Sequence, residues 1–210
     1  MRITAVNKTK KGRFAVYVDG SFVFSVDAET LLTHRIAPNT DTDPQTLEQV
    51  RLSSEERAQK ERALKLLSHK SYTKRALADK LAREGDEETA EKIADRMEEL
   101  GLINDEDYAK RLCADLFHVK GYGARRVLFE LTKRGIDREL AEETVAEHAP
   151  EGEDTLDSLE ALILRKYARN LGDRKGIDKT VRALARLGYD YDDIRAALSR
   201  CAEQDEAYDG

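Results

Sequence analysis

One pattern recurs three times along this chain: a basic segment with helical apolar spacing, then a glycine, then an acidic segment with the same spacing. Tyr72 to Leu81 leads to Gly85 and on to Glu87–Leu100, Tyr122 to Leu131 leads to Gly135 and on to Asp137–His148, and Gly176 to Leu184 leads to Gly188 and on to Asp190–Arg200. A leucine stands four residues before each glycine, at Leu81, Leu131 and Leu184, and the glycines are 50 and then 53 residues apart. A fixed period of this size is the mark of tandem units, each too small to bury its own apolar face without help. Function is therefore expected on an extended surface and not in a single deep pocket.

The apolar positions within each unit resolve into three helices. Ala63, Leu66 and Leu67, then Leu77 and Leu81, then Ala90, Ile93, Ala94, Met97 and Leu100 follow 3.6-residue spacing in the first. Leu112, Cys113, Leu116 and Phe117, then Val127, Leu128 and Leu131, then Leu140 and Val145 do so in the second. Leu159, Leu162 and Ile163, then Val181, Leu184 and Ala185, then Ile194, Leu198 and Cys201 do so in the third. Ser53 with Glu56 and Asn104 with Asp107 have capping-box spacing and are expected to start the first helices of repeats 1 and 2. Gly85, Gly135 and Gly188 are expected at helix C-termini, where a left-handed residue costs glycine little.

Ahead of the repeats, Phe14–Val18 and Phe22–Val26 flank Asp19-Gly20, the two-residue signal for a type I′ hairpin. That register sets Tyr17 opposite Phe22 and Val16 opposite Val23. Ile3–Val6 supplies a third strand, and the sheet is expected to pack on a helix near Ala28–His34. The reading is a mainly α chain: an elongated array of three tandem three-helix repeats preceded by a small N-terminal β-hairpin or meander module. Its parts are 1–36 (strands and short helix), 37–53 (connector with a short helix opened by Asp43-Pro44), 54–103, 104–150 and 151–203 (the repeats), and 204–210 (acidic tail).

Composition narrows the function classes. The net charge of −6 argues against a plain nucleic-acid binder, but the charge is segregated. Residues 70–83 carry a balance of +4 and residues 84–107 one of −9. Such runs are usually solvated faces, yet basic segments at matching places in three repeats can align into one stripe. No apolar run is long enough for a membrane span, no secretory h-region opens the chain, and Cys113 and Cys201 form no CxxC, so a reducing cytoplasmic setting and buried cysteines are expected. GxSxG, Walker A and HExxH sequences are absent, and His34, His69, His118 and His148 are dispersed. Asn104-Asp-Glu-Asp107 lacks the glycine and distal glutamate of a calcium loop. No catalysis, cofactor or metal is expected.

Gly101-Leu-Ile-Asn-Asp-Glu-Asp-Tyr-Ala-Lys-Arg111, with Lys120-Gly-Tyr-Gly-Ala-Arg-Arg126 and Glu130-Leu-Thr-Lys-Arg-Gly-Ile136, resembles the signature of RecX, the bacterial regulator of the RecA recombinase. Ser71–Leu77 and Leu184–Tyr189 are similar to its flanking motifs, so the likeness spans roughly residues 55–202 and leaves the N-terminal strands outside. The resemblance implies tandem three-helix repeats. It also implies a protein that lies in the groove of the RecA–DNA filament, as a monomer and with weak direct single- or double-stranded DNA contact, and that inhibits ATP hydrolysis and strand exchange. A stand-alone DNA-binding protein and a helical scaffold for another partner are the competing readings. Charge and repeat position nominate Lys74, Arg75, Arg83, Lys120, Arg125, Arg126, Lys133, Arg134, Lys166, Arg169, Arg174, Lys175, Lys179 and Arg182 as the contact residues. Reversing Arg125 and Arg126 to Glu is expected to spare folding and weaken filament binding.

Overall fold

The computed structural model describes residues 1–208, with side chains through Glu203; the side chains of the expected acidic tail, 204–210, lie outside the described residues. Two compact units divide the chain: Met1–Ser71 with Leu77–Leu102, and Tyr72–Ala76 with Ile103 onward.

In the first unit, β1 (Ile3–Lys8), β2 (Phe14–Val18) and β3 (Ser21–Val26) form an antiparallel meander in sequence order. Asp19 and Gly20 both adopt positive φ, 49° and 85°, as a type I′ turn requires. Tyr17 opposes Phe22 as expected, their rings edge to face at 5.9 Å. Val16, however, opposes Phe24 and not Val23, because the register shifts between Val16 and Tyr17. The extra residue of that bulge lets Val16, Val18 and Val26 share the buried face while Phe22 and Val23 stay exposed.

The sheet finds its main partner in a different helix from the one expected. Ile3, Val16, Val18 and Val26 pack with Ile36 and with Leu47 and Val50 of α2 (Pro44–Leu67), whereas α1 (Ala28–Thr33) adds only the partly buried Leu31. Asp43 caps α2 as expected, accepting from the amides of Gln45 and Thr46. The expected helix start at Ser53 is absent, since α2 runs through it unbroken for 24 residues. No glycine or proline follows Pro44 to stop the helix, and Arg51 bridges Glu48 and Glu55 across that seam. Ser54 is instead buried, where it donates to the Asp27 carboxylate and accepts from Arg13. Helices α3 (Lys74–Ala82) and α4 (Glu87–Glu99) complete the first repeat. Gly85 does not take the expected left-handed conformation; it lies beyond the end of α3, against the side chain of Gln59.

The second unit holds two more three-helix repeats. Helices α5 (Asp105–Ala114), α6 (Ala124–Lys133) and α7 (Arg138–His148) close around Ala109, Cys113, Leu116, Phe117, Val127, Leu131 and Ile136. Asn104 caps α5 through the Asp107 amide, as its spacing predicts, and α5 passes into a π-helical turn at Asp115–Val119. Helices α8 (Glu153–Tyr167), α9 (Arg174–Arg186) and α10 (Tyr191–Tyr208) close around Leu159, Leu162, Ile163, Leu184, Tyr189, Ile194 and Cys201. Both cysteines are buried, and burial pushes the Cys113 thiol up to about 11.

Gly135 and Gly188 terminate α6 and α9 with φ of 87° and 96°, as expected. Their second role is invisible locally: each receives the start of another repeat's basic helix. Thr73 and Arg75, at the start of α3, rest on Gly135, and the Thr73 hydroxyl donates to the Arg134 carbonyl at 2.6 Å. Gly123 and Arg126, at the start of α6, rest on Gly188, and the Gly123 amide donates to the Leu187 carbonyl at 2.8 Å.

Candidate functional site

Helix α6 carries the densest set of nominated residues, and its own turn spacing dictates what they do. Arg126, Glu130 and Arg134 stand four residues apart on one face, so both guanidinium groups reach the same carboxylate. Arg126 meets Glu130 Oε1 at 2.7 Å and Arg134 meets Oε2 at 2.6 Å. Glu130 is buried, 8% exposed, and its position in a basic helix is understandable only with both partners present. The hydrogen bond from Arg134 holds its carboxyl below the ordinary range against the opposing effect of burial, with the charges of Arg134, Arg126 and Lys133 adding to the shift.

Over this pair lies an aromatic and cationic surface. The Arg126 guanidinium sits 5.7 Å from the Tyr122 ring centroid and 5.3 Å from that of Phe129, and Lys133 Nζ lies 5.8 Å from Phe129. Phe129 is 52% exposed, and Val119 nearby in sequence is 70% exposed. Arg125 points elsewhere, to Asp190 Oδ1 at 2.7 Å, and so ties α6 to the third repeat. Arg125, Arg126 and Arg134 therefore serve the fold of this unit as well as its surface, and a double reversal to Glu would set like charges beside Asp190 and Glu130. That corrects the expectation that such a variant would leave folding untouched.

The remaining nominated residues are dispersed. Lys74 and Arg75 begin α3, where the Lys74 amide donates to Asp105 at 2.9 Å and the Arg75 side chain packs on Gly135. Lys120 is exposed after the π-helical turn. Arg83 is exposed and belongs to the first unit. Lys166 closes α8, Arg169 lies in the 3-10 turn Ala168–Asn170, and Arg174, Lys175, Lys179 and Arg182 line α9, all exposed. Among the described residues none of these six has an ion-pair partner, in contrast to the arginines of α6. The nominations omitted Glu130, Phe129 and Asp190. An i±4 scan for carboxylates would have found Glu130, but nothing local points to Asp190.

Among the described residues no group of three or more His, Cys, Asp or Glu could hold a metal ion, and no helix is long and apolar enough to cross a membrane.

Three family models match the chain in order. They are the regulatory protein RecX N-terminal domain at residues 1–43, the RecX second three-helix domain at 104–145 and the RecX third three-helix domain at 153–198. The N-terminal strands, outside the resemblance read from sequence motifs, thus lie within a matched domain. Regulatory protein RecX of Caldanaerobacter subterraneus subsp. tengcongensis is 28% identical over 201 residues, covering 95% of this chain and 99% of that one. The Clostridioides difficile protein of the same name is 27% identical over 208 residues, with 97% of each chain covered. Among solved structures, a crystal structure of regulatory protein RecX superposes with a TM-score of 0.68 at 22% identity, covering 94% of this chain and 98% of the other. RecX from Lactobacillus salivarius superposes with a TM-score of 0.63 at 23% identity, covering 71% and 98%. At those identities the superpositions speak to the fold alone.

Proposed function

We propose, because this chain belongs to the RecX family, that it binds the RecA–DNA filament and inhibits RecA's ATP hydrolysis and strand exchange. It acts by binding and without catalysis, as a cytoplasmic monomer. The observation that carries the reading from family to surface is Phe129, half exposed beneath Arg126 and Lys133 on α6. Aromatic and arginine side chains held rigidly at a surface are the residue types on which protein interfaces concentrate their binding energy. Arg126 is held in place by Glu130 before any partner arrives, so little side-chain entropy is left to lose on docking.

Lys120 and Lys133 are the α6-side cations free to meet acidic groups on a filament. Arg75 and the cations of α8 and α9 extend the same reading to the rest of the second unit. ATP hydrolysis by the RecA of the same organism on single-stranded DNA, with and without this protein, tests it. Inhibition that saturates at substoichiometric or stoichiometric protein is expected, and an unchanged rate with protein in excess over RecA would remove the assignment.

A further inference from the structure

We propose that the cleft between α2 and the turn from α3 to α4, within the first unit, binds a linear polyamine, an alkyl chain carrying several ammonium groups. Gln59 of α2 lines this cleft, yet it is only 9% exposed, and its Oε1 is buried without a hydrogen-bond partner among the described residues. A buried amide oxygen with no donor is costly, and native folds leave few of them. The amide lies over Gly85, where a Cβ would stand 1.7 Å from Nε2 and 2.6 Å from Cδ, so only glycine leaves Gln59 its place. The terminal torsion of glutamine is broad, and rotation about it presents the oxygen to a donor entering the cleft.

The walls around this oxygen are acidic. Glu55 and Glu56 stand one turn before Gln59 on α2, and Glu84, Asp86 and Glu88 come from the turn and the start of α4. Arg62 and Lys92 are the cations among the lining residues, against these five carboxylates. Arg62 pairs with Glu84, Lys92 with Glu88 at 2.6 Å, and Arg51, from outside the cleft, with Glu55 at 2.6 Å. Asp86 caps α4 through Oδ2, which accepts from the Thr89 amide at 2.8 Å and hydroxyl at 2.9 Å. Glu56 makes no ion pair among the described residues and acts on Lys92 only through its field. Glu56, the second oxygen of Asp86 and Gln59 Oε1 are thus acceptors awaiting donors.

The chemistry of the set selects the class of ligand. A surplus of acceptors and negative charge calls for a cation rich in N–H donors. A hard divalent metal ion takes six or more oxygens at about 2.0–2.6 Å. Among the described residues no group of three or more His, Cys, Asp or Glu could hold one. The cleft has a volume of about 930 Å³, within the range of pockets for small organic molecules. Leu52, 49% exposed, and Ala58 add apolar surface along which methylene groups lie while their charged ends reach the carboxylates. A lysine or arginine side chain would bring one charge to this excess of carboxylates, whereas a polyamine brings several, separated by methylene runs that match the mixed lining.

The test needs the full chain alone. Nitrogen-15-labelled protein would be titrated with spermidine at about 0.15 M salt, where diffuse attraction to a chain of net charge −6 is screened. The side-chain amide resonance of Gln59, assigned by its absence from Gln59→Leu, should move and saturate. Gln59→Leu should bind at least tenfold more weakly with an unchanged helical circular-dichroism spectrum. Glu56→Gln/Asp86→Asn should do the same; it keeps the α4 cap through asparagine and serves if Gln59→Leu misfolds. Glu139→Gln/Glu143→Gln, acidic positions on α7, should stay within twofold of wild type. A wild-type response that never saturates, or folded variants that bind undiminished, would overturn the proposal. Magnesium chloride that moved the Gln59 resonance equally would overturn it in favour of charge screening. Binding of a capped peptide with one arginine, but not of spermidine, would overturn it in favour of a protein contact.

Discussion

Gly188 lies directly against the backbone of Arg126, so close that a Cβ on the glycine would stand 2.4 Å from the arginine nitrogen and 3.0 Å from its Cα. Gly188 also has a φ of 96°, so two independent constraints exclude a side chain there. Gly188→Ala should cost about 3 kcal/mol, from left-handed strain plus displacement of the α6 start. Gly135→Ala meets side-chain atoms of Arg75 and Thr73 at 3.0–3.3 Å, where some give is available, and should cost about 1–2 kcal/mol. Urea unfolding of both variants checks the order; equal losses would show that backbone strain alone sets the requirement for glycine.

Glu130 makes a pH-dependent contribution. Its folded carboxyl lies below the ordinary 4.5, chiefly through the Arg134 hydrogen bond, so its stabilisation is complete above the unfolded value. The contribution is lost as pH falls from about 4.5 through the folded value. Glu130→Gln should therefore lower stability by about 1–2 kcal/mol at pH 7, after discounting for the partly exposed arginines, and the gap to wild type should narrow as pH falls below the ordinary carboxyl value and close once the folded carboxyl is protonated. Thermal melts at several pH values read this directly, and a gap that persisted into acid would mean that volume or packing, and not charge, accounts for the loss.

Phe129 is the test of the α6 surface that leaves the internal ion pairs in place. Being 52% exposed, Phe129→Ala should change unfolding free energy by no more than about 0.5 kcal/mol. Binding to the RecA–DNA filament should weaken at least tenfold, a loss of about 1.4 kcal/mol. Surface-bound filaments and a concentration series of the variant would give the ratio, and full-strength binding would take α6 out of the interface.

The sequence by itself determined what short-range chemistry determines. Apolar spacing marked the three-helix repeats, Asp19-Gly20 marked its turn, and Gly135 and Gly188 marked left-handed helix ends, because each depends on φ/ψ preference and on neighbours within about four residues. The Arg126–Glu130–Arg134 set was equally legible in principle, being an i±4 relation. The tertiary structure decided the rest. Ser53 has capping-box spacing, but helix propagation through a stretch without a breaker outweighed one local cap, and Ser54 was drawn into a buried network with Asp27 and Arg13. The sheet settled on Leu47 and Val50 of α2, a choice among several apolar faces that spacing cannot rank. Gly123 meets Leu187 and Arg125 meets Asp190 across more than 60 residues of chain, and the order of charges along a helix does not say which will be neutralised from another repeat. Only packing brought Asp190 to Arg125 of α6, while among the described residues no carboxylate came within ion-pair distance of the cations of α9, and so two basic helices that look alike in sequence were separated.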